Sequence, residues 1–437
     1  MTQIKVGASR SAITPPVGVD LAGYARRQGP SIGVHDDLFC GALVLEDGRT
    51  RLALVALDLL ETDFEVDAMV RQAVAASTDI APDHILINCS HTHAGPGVAK
   101  LEKLGRQNMD YVNTLRERVA QTAATAAARL APAALRYGEA PVRVGINRRE
   151  TTSEGEVTIG RNPEGLVDTR VRVIDVRGEA NPGAVLFQHA CHGTALNQEN
   201  RRISAERMGA AASRLESALE GGSIPMFLQG CCGQINPDAE ASFDEVDRLG
   251  SEMAGAVAAS LERAESFVAI PLGARTEQIG LPLQDPLTPE QARVELQQTQ
   301  ADHERLQREG AHESLIRAHE TLVRHAADML DRAERRPTNE TLAFVVQAIR
   351  IGDLAIVGLS GEVFFEFAQE IEARSPFPDT LVLGYSNGCT CYIPTREAFA
   401  EGGYEAEDSF RWYGIPPLAP SAGEVMVQAA VRLLRGL

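Results

Sequence analysis

Positive charge is scarce in this chain: 42 lysines and arginines stand against 60 acidic residues, a formal net charge of −18. That balance argues against nucleic acid and against anionic membrane surfaces as partners. No apolar run is long enough to span a bilayer, and the opening stretch MTQIKVGASRSAITPP lacks the apolar core of a secretory signal. No stable membrane association is expected. The seven cysteines are an odd count with no Cys-x-x-Cys pair. They therefore point to free thiols in a reducing, cytoplasmic setting rather than to a disulfide framework. No Gly/Ser-rich linker divides the 437 residues. The expectation is a single α/β domain over residues 1–437, acting on a small-molecule substrate, with a homo-oligomer left open.

Three segments share a form: strand, glycine-containing turn, apolar strand, then a polar group where the second strand stops. They are GALVLEDGRTRLALVALD, TRVRVIDVRGEANPGAVLFQHACHGT and LAFVVQAIRIGDLAIVGLSGE. Their turns carry Asp47-Gly48, Asn181-Pro182-Gly183 and Gly352-Asp353, and their ends are Asp58, His192 and Glu362. The second strands, 52–57, 184–187 and 354–359, are nearly continuous apolar runs, as in strands covered on both faces. The form suggests a large mixed β-sheet covered by helices, with several strands bringing polar groups to one sheet edge. Helical periodicity is expected near 65–76, 109–130, 205–219, 243–263 and 425–434. The charged stretch at about 286–337 lacks aromatic residues and reads as two long helices broken near Gly310, a helical-hairpin insertion serving architecture or a lid.

The stretch ILINCSHTHAGPG places His91 and His93 directly after an apolar run. If the strand continues, residues two apart point the same way. If it breaks at Ser90, both sit on a tight loop. FQHACHGTALN adds His189 and His192 at another strand end, and GLSGEVFFEF offers Glu362 in a Gly-flanked turn. Imidazoles and a carboxylate from distant strand ends suit a catalytic zinc better than a structural one, which favours a closed, cysteine-rich sphere. The plainer alternatives are loop histidines bonded to backbone and a glutamate at a helix start. Cys191, Cys231 and Cys232 read as packed thiols.

In that order and spacing, SHTHAGPG, HGT, SGE and CYIPT resemble the neutral/alkaline non-lysosomal ceramidase family, in its zinc-binding N-terminal domain. VGASRSAITPPVGVDLAGYA, GVHDDLFCGALVLE, GINRRET, IGRNPEGLVD and EGGYE add to the resemblance, which covers nearly the whole chain. It implies one Zn²⁺ per chain, with His91, His192, Glu362 and Tyr392 as ligands and His93 beside the metal. It also places Arg148, His35 and Tyr404 in a substrate pocket. The chain departs from the family where a GD-x-SP type motif is replaced by GCCGQINPD, with Gln234 at the Asp position and Asn236 at the Ser position. The family's C-terminal β-sandwich is expected to be absent.

The expected activity is zinc-dependent hydrolysis of an amide bond in a soluble small molecule. Zinc would lower the pKa of bound water and polarise the carbonyl, His93 would take and return the proton, and Tyr392, Arg148 or Asn236 would stabilise the oxyanion. Asp58 is a candidate for holding a histidine tautomer. An esterase or lactonase using the same site, or a catalytically silent metal-binding relative, are the alternatives. Phe410, Trp412 and Tyr413, in SFRWYGIP, would form an aromatic wall or lid, or pack in the core.

Overall fold

Alternation along the strands sets the layers. In Leu354–Leu359, Leu354 and Ile356 enter one buried cluster while Ala355, Val357 and Leu359 enter another. Leu43, Leu45, Leu52 and Leu54 separate from Ala42, Val44, Ala53 and Val55 in the same way. Successive side chains on a strand face opposite sides, so both faces of these strands are covered by apolar partners. The computed structural model describes residues 3–101, 104–178 and 182–437, which leaves Asn181 of the expected second turn outside the described residues.

The central cluster joins two sheets. Leu43, Leu54, Leu186 and Leu228 come from a nine-stranded mixed sheet, and Ile349, Ile356 and Leu383 from a four-stranded one. The large sheet runs Ile224–Gln229, Ala184–His189, Arg170–Gly178, Ala131–Pro141, Lys5–Ala12, Phe39–Glu46, Arg51–Leu57, Ile85–Cys89, with Glu265–Ser266 added beside Ala131–Pro141. The smaller sheet runs Leu272–Pro282, Thr341–Ile351, Leu354–Leu359, Asp379–Leu383. Helices cover the outer faces. Phe64–Thr78 and Met109–Ala128 bring Val70 and Leu115 to one cluster, and Glu206–Ala218 and Phe243–Arg263 bring Leu215 and Leu249 to another. Ile371 of Phe365–Arg374 and Met426 of Ala422–Arg435 cover the small sheet. The fold is thus α/β, as expected, but with a second sheet that the sequence patterns did not reveal.

One arrangement occurs three times: a β-hairpin, a helix, and a strand parallel to the hairpin's second strand. The first unit is Phe39–Glu46, Arg51–Leu57, Phe64–Thr78 and Ile85–Cys89. The second is Arg170–Gly178, Ala184–His189, Glu206–Ala218 and Ile224–Gln229. The third is Thr341–Ile351, Leu354–Leu359, Phe365–Arg374 and Asp379–Leu383. The third unit lies in the smaller sheet, so the polar strand ends gather from two sheets rather than along one edge.

Asn88 ties the three units together. Its side-chain nitrogen donates to Gln229 O (3.3 Å) and Gly384 O (2.8 Å), and its oxygen accepts from Gln229 N (2.7 Å). These are the ends of the last strands of all three units. A fully buried amide that satisfies backbone from two other chain segments fixes their relative position.

The charged stretch forms the helices Pro289–Arg308 and Glu313–Arg335. Thr288 and Gln291 make a capping box at the first helix, and Gly310 between the two takes φ +68°, a left-handed turn that glycine adopts without strain. His325 bonds Ile415 O at 2.9 Å and Arg411 pairs with Glu295 at 3.0 Å, so the pair braces the segment just after Ser409–Tyr413. Among the described residues, no helix is long and apolar enough to cross a membrane.

Candidate metal centre

The strand Ile85–Cys89 stops before the histidines, and His91 takes φ +60°, so His91 and His93 lie on a tight loop. That loop runs beside the second unit's strand end: Thr92 bridges Gly193, and His93 N donates to Gly193 O at 3.0 Å. A side chain at Gly193 would meet His91 O at 2.3 Å, which explains the glycine after His192. Glu362 and Tyr392 are brought together by a short parallel ladder in which they are register partners.

His91, His93 and His192 place ring nitrogens within 4.8 Å of one another. His91 Nδ1 donates to Leu60 O (2.9 Å) and His192 Nδ1 donates to Cys232 O (2.8 Å). With those protons committed, the Nε2 atoms of His91 and His192 carry lone pairs, and both face Glu362 Oε2, at 3.3 and 3.0 Å. His93 Nε2 stands 3.2 Å from His91 Nε2, and Tyr392 OH 3.4 Å from His192 Nε2. Acceptor atoms aimed at one another in a buried space need a cation between them. Imidazole nitrogens with a carboxylate and a phenol oxygen are a donor set that fits zinc.

The surroundings tune these groups. Burial alone would raise the Glu362 carboxyl, but His91 and His192 beside it hold it well below the usual range. Burial, with the two neighbouring imidazoles, keeps His93 well below an ordinary histidine, and burial drops His192 to about 4. Arg148 resists burial because Tyr392 and Glu405 favour its charge. Its Nε donates to Glu405 (2.7 Å), and one terminal nitrogen faces both His192 Nε2 and Asn236 Oδ1 at 3.3 Å. Among the described residues, its other terminal nitrogen is buried without a hydrogen-bond partner.

Tyr413 OH sits between Glu362 Oε1 (2.5 Å) and Glu61 Oε2 (3.1 Å). One hydroxyl hydrogen cannot serve two carboxylates, so Glu61 must bring a proton of its own. Burial and the nearby Glu362 charge raise its pKa to about 8, which keeps it neutral.

Most residues named from sequence meet here. His91, His93, His192, Glu362 and Tyr392 are in direct reach of one another. Arg148 and Asn236 form the next wall, and the Tyr404 ring lies 5.6 Å from that of Tyr392. Of the SFRWYGIP aromatics, Tyr413 reaches the site, while Phe410 packs on His325. His35 does not join them: it pairs with the adjacent Asp36 at 2.8 Å and stacks on Phe243. A histidine beside an acid in sequence finds its partner locally. Asp58 holds no histidine either; it accepts from Phe39 N at 2.9 Å, closing its own hairpin. Backbone carbonyls do the orienting instead. Gln234 bonds Phe365 N and Glu366, anchoring the helix behind Glu362. Glu61, Tyr385 and Glu405 were missed. Tyr385 OH donates to Glu362 Oε2 at 3.1 Å, and its only signal was a tyrosine one glycine past an apolar strand.

A family model described as "Neutral/alkaline non-lysosomal ceramidase, N-terminal" matches residues 4–269. Among curated proteins, the chain is 27% identical to "Neutral ceramidase" of Drosophila pseudoobscura pseudoobscura over 273 residues, 56% of this chain and 38% of that protein. It is 25% identical to "Neutral ceramidase" of Mycobacterium tuberculosis over 469 aligned positions, 90% of this chain and 72% of the other. The chain therefore spans little more than a third of the fly relative it matches. The solved structure of neutral ceramidase from Pseudomonas aeruginosa superposes with a TM-score of 0.76 at 20% identity, covering 99% of this chain and 74% of that one.

Proposed function

Because the chain belongs to the neutral/alkaline non-lysosomal ceramidase family, we propose that it is a zinc-dependent hydrolase cleaving the amide bond of a soluble small molecule. The observation that carries this reading is the meeting of His91 Nε2, His192 Nε2 and Glu362 Oε2, all acceptors, with His93 on one side and the Arg148 guanidinium on the other. His91, His192, Glu362 and Tyr392 would hold one zinc ion, which when bound supplies Lewis acidity to a carbonyl oxygen and to water.

The chain's own groups divide the remaining work. His93, kept neutral by burial, can take a proton at Nε2 and deliver it to the departing amine. The unpartnered terminal nitrogen of Arg148 is a donor held ready for the charge that develops on the carbonyl oxygen. Glu405 fixes the guanidinium and Asn236 caps its other edge. Tyr392, whose phenol is kept protonated by burial, can donate alongside. Gln234 and Asn236 are accounted for by structural and positioning contacts, which supports turnover by this chain over silent binding. Seven free, buried cysteines and the net charge of −18 support a reducing, cytoplasmic setting and a substrate other than a membrane lipid.

Elemental analysis tests the metal: about one zinc per chain, lost in His192→Ala and Glu362→Ala, is the expected result. Zinc absent from the wild type, or retained in both variants, overturns the reading. Paired amide and ester substrates then separate amidase from esterase.

A further inference from the structure

We propose that Arg27 is the counter-charge for a carboxylate on the substrate, held in the cavity that Tyr24 and Arg27 help to line. This rests on amide hydrolysis at the histidine cluster, and it names the substrate class: an amide whose amine or acyl part carries a free carboxylate, such as an N-acyl amino acid. Water adds across the C–N bond, the acyl carbon gaining hydroxyl and the nitrogen gaining hydrogen, so an N-acyl amino acid gives a carboxylic acid and an amino acid.

A cavity of about 370 Å³ lies between the segment after the first strand and the start of Glu313–Arg335. Asp20, Tyr24, Arg27, Arg106, Glu313 and Arg317 are among its walls. Tyr24 and Arg27 reach the catalytic cluster as well. The Tyr24 ring lies 4.9 Å from that of His93, and an Arg27 terminal nitrogen donates to His93 O at 2.6 Å. His93 is also the partly exposed member of the histidine trio. Tyr24 and Arg27 thus belong both to the cavity wall and to the surroundings of His93, and a substrate whose amide meets the cluster would extend one end toward them.

The charges of the cavity do not cancel. Arg106 and Arg317 share both acids: Arg106 meets Glu313 at 2.6 Å and Asp20 at 3.8 Å, and Arg317 meets each at 3.7 Å. Arg27 has no such partner among the described residues. It is 5% exposed and spends its terminal nitrogens on the carbonyls of Ala22 and His93. Its guanidinium lies over the Tyr24 ring at 5.0 Å, and its Nε has no partner. Burial lowers its pKa only to about 10, so it stays charged at neutral pH. Glu206 favours its charge from beyond ion-pair distance, and a buried cation with no carboxylate directly against it is one that a ligand's carboxylate would complete. One surplus positive charge matches a monoanionic carboxylate better than a phosphate, which brings more charge.

The test uses the full zinc-loaded chain with N-acetylglycine, N-acetylleucine and N-acetylphenylalanine, each beside its C-terminal carboxamide. The wild type should favour at least one acid over its carboxamide about tenfold or more in kcat/KM, chiefly through KM. Arg27→Met should erase that preference, whatever happens to the absolute rate through its bond to His93 O, and Arg27→Lys should keep part of it. Equal use of acid and carboxamide by the wild type, or an acid preference kept by Arg27→Met, overturns the proposal. If neither series is turned over, calorimetric binding of the three acids decides. Binding by wild type that Arg27→Met loses upholds the counter-charge while the hydrolase reading fails. No binding by wild type, or equal binding by folded Arg27→Met and wild type, overturns it.

Discussion

The first and second strand–helix units solve the same problem in opposite ways. In the first, the histidine follows the last strand, and the carbonyl that orients it, Leu60 O, follows the hairpin's second strand. In the second, His192 follows the hairpin's second strand, and the orienting carbonyl, Cys232 O, follows the last strand. Two parallel neighbouring strands end side by side, so whichever supplies the imidazole, the other supplies the acceptor. The third unit follows the second unit's order with different chemistry: Glu362 follows the hairpin, and Tyr385, after the last strand, donates to it. The position of a donor is thus set by strand pairing, and its identity by which side chain stands at the end. A carbonyl cannot be removed by mutation without removing the chain, so the imidazoles are held by the most durable acceptors available.

Glu61 is the sharpest difference between the units, because only the first adds a second carboxyl to Glu362's side of the site. Folded, it keeps its proton up to about pH 8, whereas its ordinary value is 4.5. The folded state then binds more protons than the unfolded one across that window, so stability falls as pH rises through it. In metal-free protein, Glu61→Gln should remove this part of the pH slope and gain up to about 4 kcal/mol at pH 8 relative to wild type, read by denaturant unfolding. An unchanged slope would mean that Glu61 is ionised and the proton count at Tyr413 is wrong.

Next in size is Asn88→Ala, which strips three buried backbone partners at once and should cost about 3 kcal/mol. Zinc affinity should drop with it, since the units no longer share a fixed frame. A loss of stability with metal binding intact would show that each unit positions its donors alone. Tyr385→Phe isolates the third unit: removing one donor to Glu362 should weaken zinc about tenfold in a chelator competition, with little change in fold. Asp58→Asn should do least, leaving zinc content unchanged, because its oxygen serves Phe39 N. Metal loss there would return Asp58 to the role its sequence position suggested.

What the sequence made legible was local. The helix Phe243–Arg263 and the strand Leu354–Leu359 were readable from periodicity and apolar runs, and the break at Gly310 from its composition. The second sheet was not, because a strand apolar on both faces announces two neighbours without saying whether each is helix or sheet. Glu362 was offered by its strand end, but its ladder partner Tyr392, thirty positions on, came from motif resemblance and not from pattern. The meeting of Glu61 with Tyr413 was hidden because it depends on the packing of a short helix far along the chain. His35, expected in a substrate pocket, is bonded in the structure to the next residue.

The tie through Asn88 also sets a timetable. Its amide waits for residues 141 and 296 positions further on, and Tyr392 and Tyr413 follow those. During synthesis, a ribosome must pass Tyr413 before the donors can all assemble, and contacts at such separations close slowly. A nascent fragment can offer His91 and His93 to passing metal but cannot enclose it. Zinc capture would therefore act as a late checkpoint, reporting that all three units have docked, and the fraction of chains loaded in the cell should track the fraction completely folded.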